Sequence, residues 1–150
     1  MKKYLPLLSL ILLLFACSTA NQKKPSAVNP TESSANLELI GNGTWTLQSI
    51  GSKKVDPASH KNGGPTLELR LSESKVFGNG GCNRYSGSIA LEQNSITFSD
   101  LMSTKMACEA LSLETEYLSA ISGKKLPLQV KGEYLYLGKA EQLLTFKKAK

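Results

Sequence analysis

The sequence is poor in the side chains on which most catalytic and metal sites depend. Its 150 residues include one histidine, His60, and only three cysteines. A single imidazole excludes every site that needs two histidines, and a catalytic triad would have to use His60 as its base. Aromatic residues make up 7% of the chain, so we expect a hydrophobic core of modest size.

A strong charge imbalance and a long apolar segment are also lacking. The formal net charge is +6, and the basic residues do not form a block, which argues against a nucleic acid partner. The apolar run at residues 5–15 is too short to span a bilayer. With 41% hydrophobic and 20% charged residues, the composition is that of a single globular domain.

Residues 1–16 are typical of a bacterial export signal. A short positive stretch precedes the apolar run, and Ala16 is a small residue at which a signal peptidase would cut. The string Leu-Phe-Ala-Cys that ends at Cys17 resembles a lipobox, in which the cysteine thiol receives a diacylglycerol. We therefore expect lipid attachment at Cys17, with a plain secretory signal and an incidental cysteine as the alternative.

The expected lipid would tether the protein to a membrane, since each buried methylene contributes about 0.8 kcal/mol. Ser18 follows the cysteine where an aspartate would retain a lipoprotein in the inner membrane, so the outer membrane of a Gram-negative bacterium is favoured. Residues 17–38 are rich in polar residues and proline, which predicts a flexible linker. Residues 39–150 then form the folded domain.

Short alternating segments predict a mainly β domain. Residues 66–71 alternate leucines with polar side chains, which is typical of a strand with one buried face. Similar patterns, separated by polar or glycine-containing turns, predict further strands at residues 45–47, 85–91, 96–98, 126–130, 134–137 and 143–146.

Residues 108–123 change to a helical period. Ala110, Leu113 or Glu114, Tyr117 and Ile121 recur at intervals of three and four, which predicts an amphipathic helix that Gly123 ends. The expected order is about five strands, one helix and three strands. Consecutive antiparallel strands with tight turns favour a small, closed or nearly closed barrel of about eight strands, with the helix covering one opening. A two-sheet sandwich is the alternative.

Cys82 and Cys108 remain as an even pair in an oxidising compartment, which favours a disulfide. Such a bond would contribute about 3.5 kcal/mol by the loop-entropy relation. A redox or metal-binding thiol pair is the alternative. Met102 and Met106 add two sulfur atoms close to Cys108, as a copper site would require, but we expect core packing for these methionines.

Glycines surround the first cysteine of this pair. Phosphate-binding glycine loops open a helix, whereas a predicted strand follows here, so we expect a bulge or a barrel corner at residues 78–83. Asn83 is expected to cap or bridge backbone groups in this corner. A ligand contact by Asn83 at the mouth of the barrel is the alternative.

The strings Gly-Gly-Cys-Asn and Thr-Lys-Met-Ala-Cys, with the spacing of the surrounding strands over residues 43–147, resemble the META domain family of the heat-shock lipoprotein HslJ. The resemblance implies a lipocalin-like barrel with one helix, in exported bacterial lipoproteins connected with envelope stress, and no established enzymatic activity. It supplies no ligand-binding residue. The residues that carry it are Gly80, Gly81, Cys82, Asn83, Thr104, Met106, Ala107 and Cys108.

No catalytic or metal-binding residue is expected, and no cofactor. Glu114 and Glu116 lie two apart on the predicted helix and would face different directions, while His60 is expected to be exposed in the long polar loop at residues 51–65. The leading hypothesis is a non-enzymatic lipoprotein that binds a protein partner or a small apolar ligand. The alternatives are an inhibitor that presents the 51–65 loop to a secreted peptidase, and a pilotin-like chaperone that holds a segment of a secretion channel.

Overall fold

The computed structural model describes Ile40, residues 43–92 and residues 94–149. The expected signal peptide at residues 1–16, the expected linker at 17–38 and the lipid attachment site Cys17 therefore all lie outside the described residues. Within the described ranges, no helix has the length and hydrophobicity needed to cross a membrane.

The described chain forms short strands around a single helix that precedes the last three strands. The expected helix begins three residues later than the sequence predicts and ends before Gly123, whose φ of +67° favours glycine. Three short 3₁₀ helices lie at Pro57–Ser59, Leu71–Glu73 and Ala140–Gln142. The elements are β1 Thr44–Ile50, β2 Lys53–Lys54, β3 Thr66–Arg70, β4 Lys75–Asn79, β5 Arg84–Glu92, β6 Ser95–Ser103, α1 Leu111–Ile121, β7 Lys125–Lys131, β8 Tyr134–Leu137 and β9 Leu144–Lys148.

The strands form one closed antiparallel barrel. From β3 to β9 each strand pairs with the next along the chain, and β1 pairs with both β3 and β9. Trp45 is accordingly opposite Leu67 on one side and Lys148 on the other. The extra strand β2 pairs with the end of β1. The predicted barrel of about eight strands with one inserted helix is confirmed, and the sandwich alternative is wrong.

Inward-facing side chains fill the barrel. An eight-stranded barrel has an interior that side chains just fill, and here the inward positions carry large apolar groups. These side chains belong to one continuous hydrophobic core. The largest fully buried ones are Trp45, Leu47, Leu67, Leu69, Ile96, Phe98, Tyr117, Leu135, Leu137 and Phe146.

Helix α1 closes one end of the barrel with its buried face. The Tyr117 ring packs edge-on against the rings of Tyr85 and Phe146, with centroid distances of 5.9 and 6.1 Å. Leu113 and Ile121 join the same core. The helix thus packs against the start of β5. The two family strings lie directly before β5 and directly after β6.

Candidate functional site

The glycine-rich corner lies between β4 and β5 and is shaped by its neighbours. The Gly80 N–H donates to the Asn83 carbonyl at 2.7 Å, which closes the turn, and Gly81 has a φ of +113°. A Cβ atom at Gly80 would collide with the Glu114 side chain. The expected barrel corner is confirmed, and helix α1 supplies the reason why residue 80 is a glycine.

Glu114 holds this corner against the helix. Its side chain is only 4% exposed, and one carboxylate oxygen accepts the backbone N–H groups of Cys82 and Asn83 at 3.1 and 2.5 Å. The other oxygen accepts a bond from the Asn83 side-chain amide at 2.8 Å. Bonds to a charged acceptor are stronger than neutral ones, so this carboxylate is a firm link between α1 and β5.

Asn83 connects the corner to the loop that follows β6. Its side-chain oxygen accepts the Met106 N–H at 2.7 Å and the Thr104 hydroxyl at 2.9 Å. Its amide nitrogen also donates to the Met106 carbonyl at 3.1 Å. With a side chain only 1% exposed, Asn83 bridges backbone groups as predicted. The two family strings are therefore parts of one hydrogen-bonded structure.

A disulfide joins the same two strings. Cys82 and Cys108 are bonded, with a Cα–Cα distance of 6.0 Å, so the predicted disulfide is confirmed. Both thiols are consumed by this bond, which rules out the alternative of a free thiol pair in this structure. In the described part of the chain, no three His, Cys, Asp or Glu side chains are grouped as metal ligands.

The two methionines of this region are exposed, so the expectation that they pack in the core is wrong. Met102 is 71% exposed and Met106 is 62% exposed. Met102 lies opposite Ser86 on the outer face of the sheet. The main chain of Met106 is held to the barrel by Asn83, which leaves its side chain outside.

A groove of about 530 Å³ separates the loop after β6 from helix α1. We call it the loop–helix groove. Asn83 and Glu114 line it with their side chains already hydrogen-bonded to each other. Its walls are formed by Ser103, Thr104, Lys105, Met106 and Ala107 of the loop and by Leu111, Thr115, Leu118 and Ser119 of the helix.

A second depression of about 730 Å³ lies on the outer face of the strands. Ser103 and Thr104 separate it from the loop–helix groove, because they line both. Arg84 and Phe77 line it together with Met102. The large hydrophobic side chains exposed in the described residues include Met102, Met106 and the 42% exposed Leu111, all at these two depressions. Apolar side chains gathered in this way are typical of interaction surfaces.

The 51–65 segment is more ordered than the sequence suggests. It contains β2, buries Val55 and forms a 3₁₀ helix that the Asp56 carboxylate caps through the Ala58 N–H at 3.0 Å. His60 is half-buried, so the expectation of an exposed loop histidine is wrong. It lines a depression together with Cys108, a proximity between distant parts of the chain that no local pattern indicates.

A buried tyrosine pair lies beneath the helix. The Tyr85 hydroxyl donates to the Thr66 carbonyl at 2.9 Å, and the hydroxyls of Tyr85 and Tyr117 share a hydrogen bond of 2.7 Å. Burial raises the pKa of Tyr85 and of Tyr117 well above the usual value for tyrosine. Both side chains are therefore neutral hydrogen-bonding groups of the core at physiological pH.

Sequence reasoning did not identify Glu114 as the central polar residue. The expectation that Glu114 and Glu116 face different directions is confirmed, because Glu116 forms an exposed ion pair with Lys53 at 2.5 Å. The feature of the sequence that could have identified Glu114 is its position on the apolar stripe of α1. A charged residue on a buried helix face requires partners, and the polar corner provides them.

The comparisons with known proteins agree with this fold. A family model described as "META domain" matches residues 35–150. The chain is similar to a protein from Burkholderia xenovorans whose NMR structure is known, with 27% sequence identity and a TM-score of 0.60. That match covers 84% of this chain and 92% of the Burkholderia chain. None of the curated proteins matches the sequence.

Two further solved structures are similar to this chain in fold only. One is an NMR structure with 23% identity, a TM-score of 0.59, and coverage of 74% of this chain and 92% of that one. The other is the crystal structure of a duf4847 family protein from Bacteroides vulgatus, with 13% identity and a TM-score of 0.55. That match covers 77% of this chain and 98% of the Bacteroides chain.

Proposed function

This chain belongs to the META domain family, and from that premise we propose that it is a non-enzymatic binding module, tethered by a lipid on Cys17. The tether would place the domain at the outer membrane of a Gram-negative bacterium. We propose a role in envelope integrity or stress resistance, in line with the resemblance to HslJ-type lipoproteins. The partner would be a protein of the envelope.

The loop–helix groove is the observation that supports binding. Asn83, Glu114 and the disulfide hold its two walls in fixed positions, while Met106 and Leu111 present apolar surface to solvent. A rigid frame lowers the entropic cost of association, and methionine side chains adapt to the shape of a partner.

The packed interior favours a protein partner over a small apolar ligand. The inward positions that a carrier would leave open are occupied by large side chains such as Trp45, Phe98 and Phe146. Binding would therefore take place on the outer surface of the barrel.

The proposal of a non-enzymatic role is supported by the chemistry of the groove. A general base needs a free acceptor at the substrate, but both Glu114 oxygens accept hydrogen bonds from the protein itself. The only histidine, His60, lies near the other side of the disulfide in a separate depression. The polar groups of the groove are therefore suited to holding the protein's own corner and loop in place.

One alternative gains support from a specific feature. Strand β7 pairs with β6 over only three residues, Ser95, Ile96 and Thr97, and the last residue of β6, Ser103, lines the groove that faces α1. A short pairing at this point of the closed barrel suits the pilotin-like function of holding a segment of another protein. The inhibitor alternative gains no such support, because the 51–65 segment pairs with β1 and buries Val55.

Site-specific photocrosslinking in living cells tests the binding proposal. A photoreactive amino acid replaces Met106 in the full chain, and a matched derivative carries it at the exposed Lys131 on β7. We expect irradiation to yield a discrete adduct with an envelope protein from position 106 and none from position 131. Equal labelling from both positions, or no adduct at position 106, would contradict a partner at the groove.

A further inference from the structure

We propose that the loop–helix groove binds an extended segment of a partner polypeptide, which adds as a strand to the free edge of β6. The inference rests on the proposed binding function and specifies the chemistry of the partner. Strand addition uses backbone hydrogen bonds for affinity and alternate side-chain contacts for specificity.

The first step is the edge itself. Register places β7 opposite β6 only from Ser95 to Thr97, and the Phe98 N–H then donates to the Lys124 carbonyl at 3.1 Å. Ser99, Met102 and Ser103 continue to pair with β5 on one side only, while Asp100 and Leu101 form a bulge opposite Gly87. Among the described strands, none pairs with the other side of this stretch. It borders the groove instead, through Ser103.

The second step is the direction of the backbone groups. The Thr104 N–H donates to the Arg84 carbonyl, and the Met106 N–H donates to the Asn83 side chain, so both point toward β5. Backbone groups of successive residues in an extended chain point to opposite sides. Those of Ser103 and Lys105 therefore point toward the groove. In the described loops and turns, Lys105 has no backbone hydrogen bond.

The third step is the facing wall. Helix α1 contributes the small polar residues Thr115 and Ser119 beside Leu111 and Leu118. Small side chains leave the width that an inserted strand needs, while the leucines and Met106 offer contacts for alternate apolar side chains. An edge strand facing a helix across an apolar groove is the arrangement that strand-adding recognition domains use.

The charge of the groove indicates the composition of the segment. Lys105 lines the groove and Arg84 lines the adjoining depression, and no carboxylate in the described chain forms an ion pair with either. The one groove carboxylate, on Glu114, is occupied by three hydrogen bonds. The segment should therefore alternate apolar residues with others that include an acidic side chain near Lys105.

Selection of short peptides tests this inference. A phage-displayed library of random short peptides is selected on the full chain in detergent micelles. We expect enrichment of sequences with alternating apolar residues and at least one acidic residue. Synthetic copies methylated at alternate backbone nitrogens on the pairing side should bind about tenfold more weakly or worse. Failure of enrichment, or binding that N-methylation does not change, would overturn strand addition.

Two pairs of variants locate the site. Ser119→Trp fills the groove from an exposed helix position, while Ser112→Trp adds the same bulk at an exposed position of α1 that does not line the groove. Ser103→Pro removes the edge N–H, while Ser103→Ala retains it. We expect about tenfold weaker peptide binding for Ser119→Trp than for Ser112→Trp, which should bind as the wild type does, and about tenfold weaker binding for Ser103→Pro than for Ser103→Ala. If Ser103→Pro does not fold, the Ser119→Trp pair alone decides the outcome.

The two proposals fail in different ways. A photocrosslink at position 106 without any selected peptide would retain the binding module and remove strand addition. Peptides that bind the Ser119→Trp and Ser112→Trp variants equally would place the segment elsewhere and also overturn the inference. Absence of both the crosslink and the peptides would overturn the binding function as well.

Discussion

At the scale of single residues, one buried carboxylate organises the region that distinguishes this domain. Glu114 binds two backbone N–H groups and the Asn83 amide, and Asn83 in turn binds Met106 and Thr104. The glycine-rich context predicted the bridging role of Asn83. It could not predict Glu114, since the partners of that residue lie 31 and 32 positions earlier in the chain.

The amide variant Glu114→Gln should lower the free energy of unfolding by about 3 kcal/mol. The carboxamide loses the charge and directs an NH₂ group toward N–H donors, which leaves buried groups unsatisfied. Urea denaturation of the variant measures the change, with Glu116→Gln on the exposed side of the same helix as the matched control. Similar stabilities for the two variants would show that the buried carboxylate is unimportant.

The tyrosine pair predicts loss of stability at alkaline pH. Burial raises the pKa of Tyr85 and Tyr117 above the ordinary value of 10.0, so the folded state keeps these protons where the unfolded state releases them. The contribution is complete below pH 10.0 and falls above it, by up to about 1.4 kcal/mol per pH unit for each group. Tyr117→Phe should give a shallower alkaline loss in urea titrations. An identical loss in wild type and variant would refute the assignment.

At the scale of elements, the end of β6 and the loop after it show that local sequence patterns could not predict which side chains are exposed. Apolar residues are usually buried, but Met102 at the end of β6 and Met106 in the loop are both exposed. Asn83 and the Cys82–Cys108 bond hold the loop main chain from the barrel side, so its side chains point outward. The position of the helix could be predicted, because a single face of it is apolar.

Removal of the disulfide should destabilise the domain without dismantling its hydrogen bonds. The bond links residues 26 positions apart, for which the loop-entropy relation gives about 3.5 kcal/mol. Thermal or urea unfolding of the double variant Cys82→Ala, Cys108→Ala should show this loss. Addition of a reductant should lower the wild-type midpoint and leave that of the variant unchanged. A wild-type midpoint that does not respond to the reductant would contradict the prediction.

At the scale of the whole molecule, closure of the barrel leaves few unpaired strand edges. Pairing of β9 with β1 removes most free edges, and the large core side chains fill the interior. Unpaired edges remain on the short strand β2, which pairs with β1 alone, and on the last part of β6, which pairs with β7 at only three residues. The proposed binding surface, the loop–helix groove, lies next to the end of β6.

The proposed tether is tested at Cys17. The Cys17→Ala variant should lose labelling by palmitate and leave the membrane fraction, because it lacks the thiol that carries the lipid. As a second variant, Ser18→Asp should keep the label and move from the outer to the inner membrane. Unchanged fractionation of Cys17→Ala would refute the anchor, and unchanged sorting of Ser18→Asp would refute the outer-membrane assignment.

The sequence by itself determined the strands with regular alternation, the amphipathic helix, the cysteine pair and the barrel order. Each of these can be read from local periodicity or from residue type, because a strand or helix with one buried face carries a regular pattern of apolar residues within its own sequence. It missed β2, which has two residues, and β4, whose one fully buried side chain is Val76. Only the tertiary structure decided that Glu114 is buried in a polar corner, that the methionines are exposed and that β6 keeps a free edge. These properties depend on which distant segments meet when the barrel closes, and no single segment contains that information.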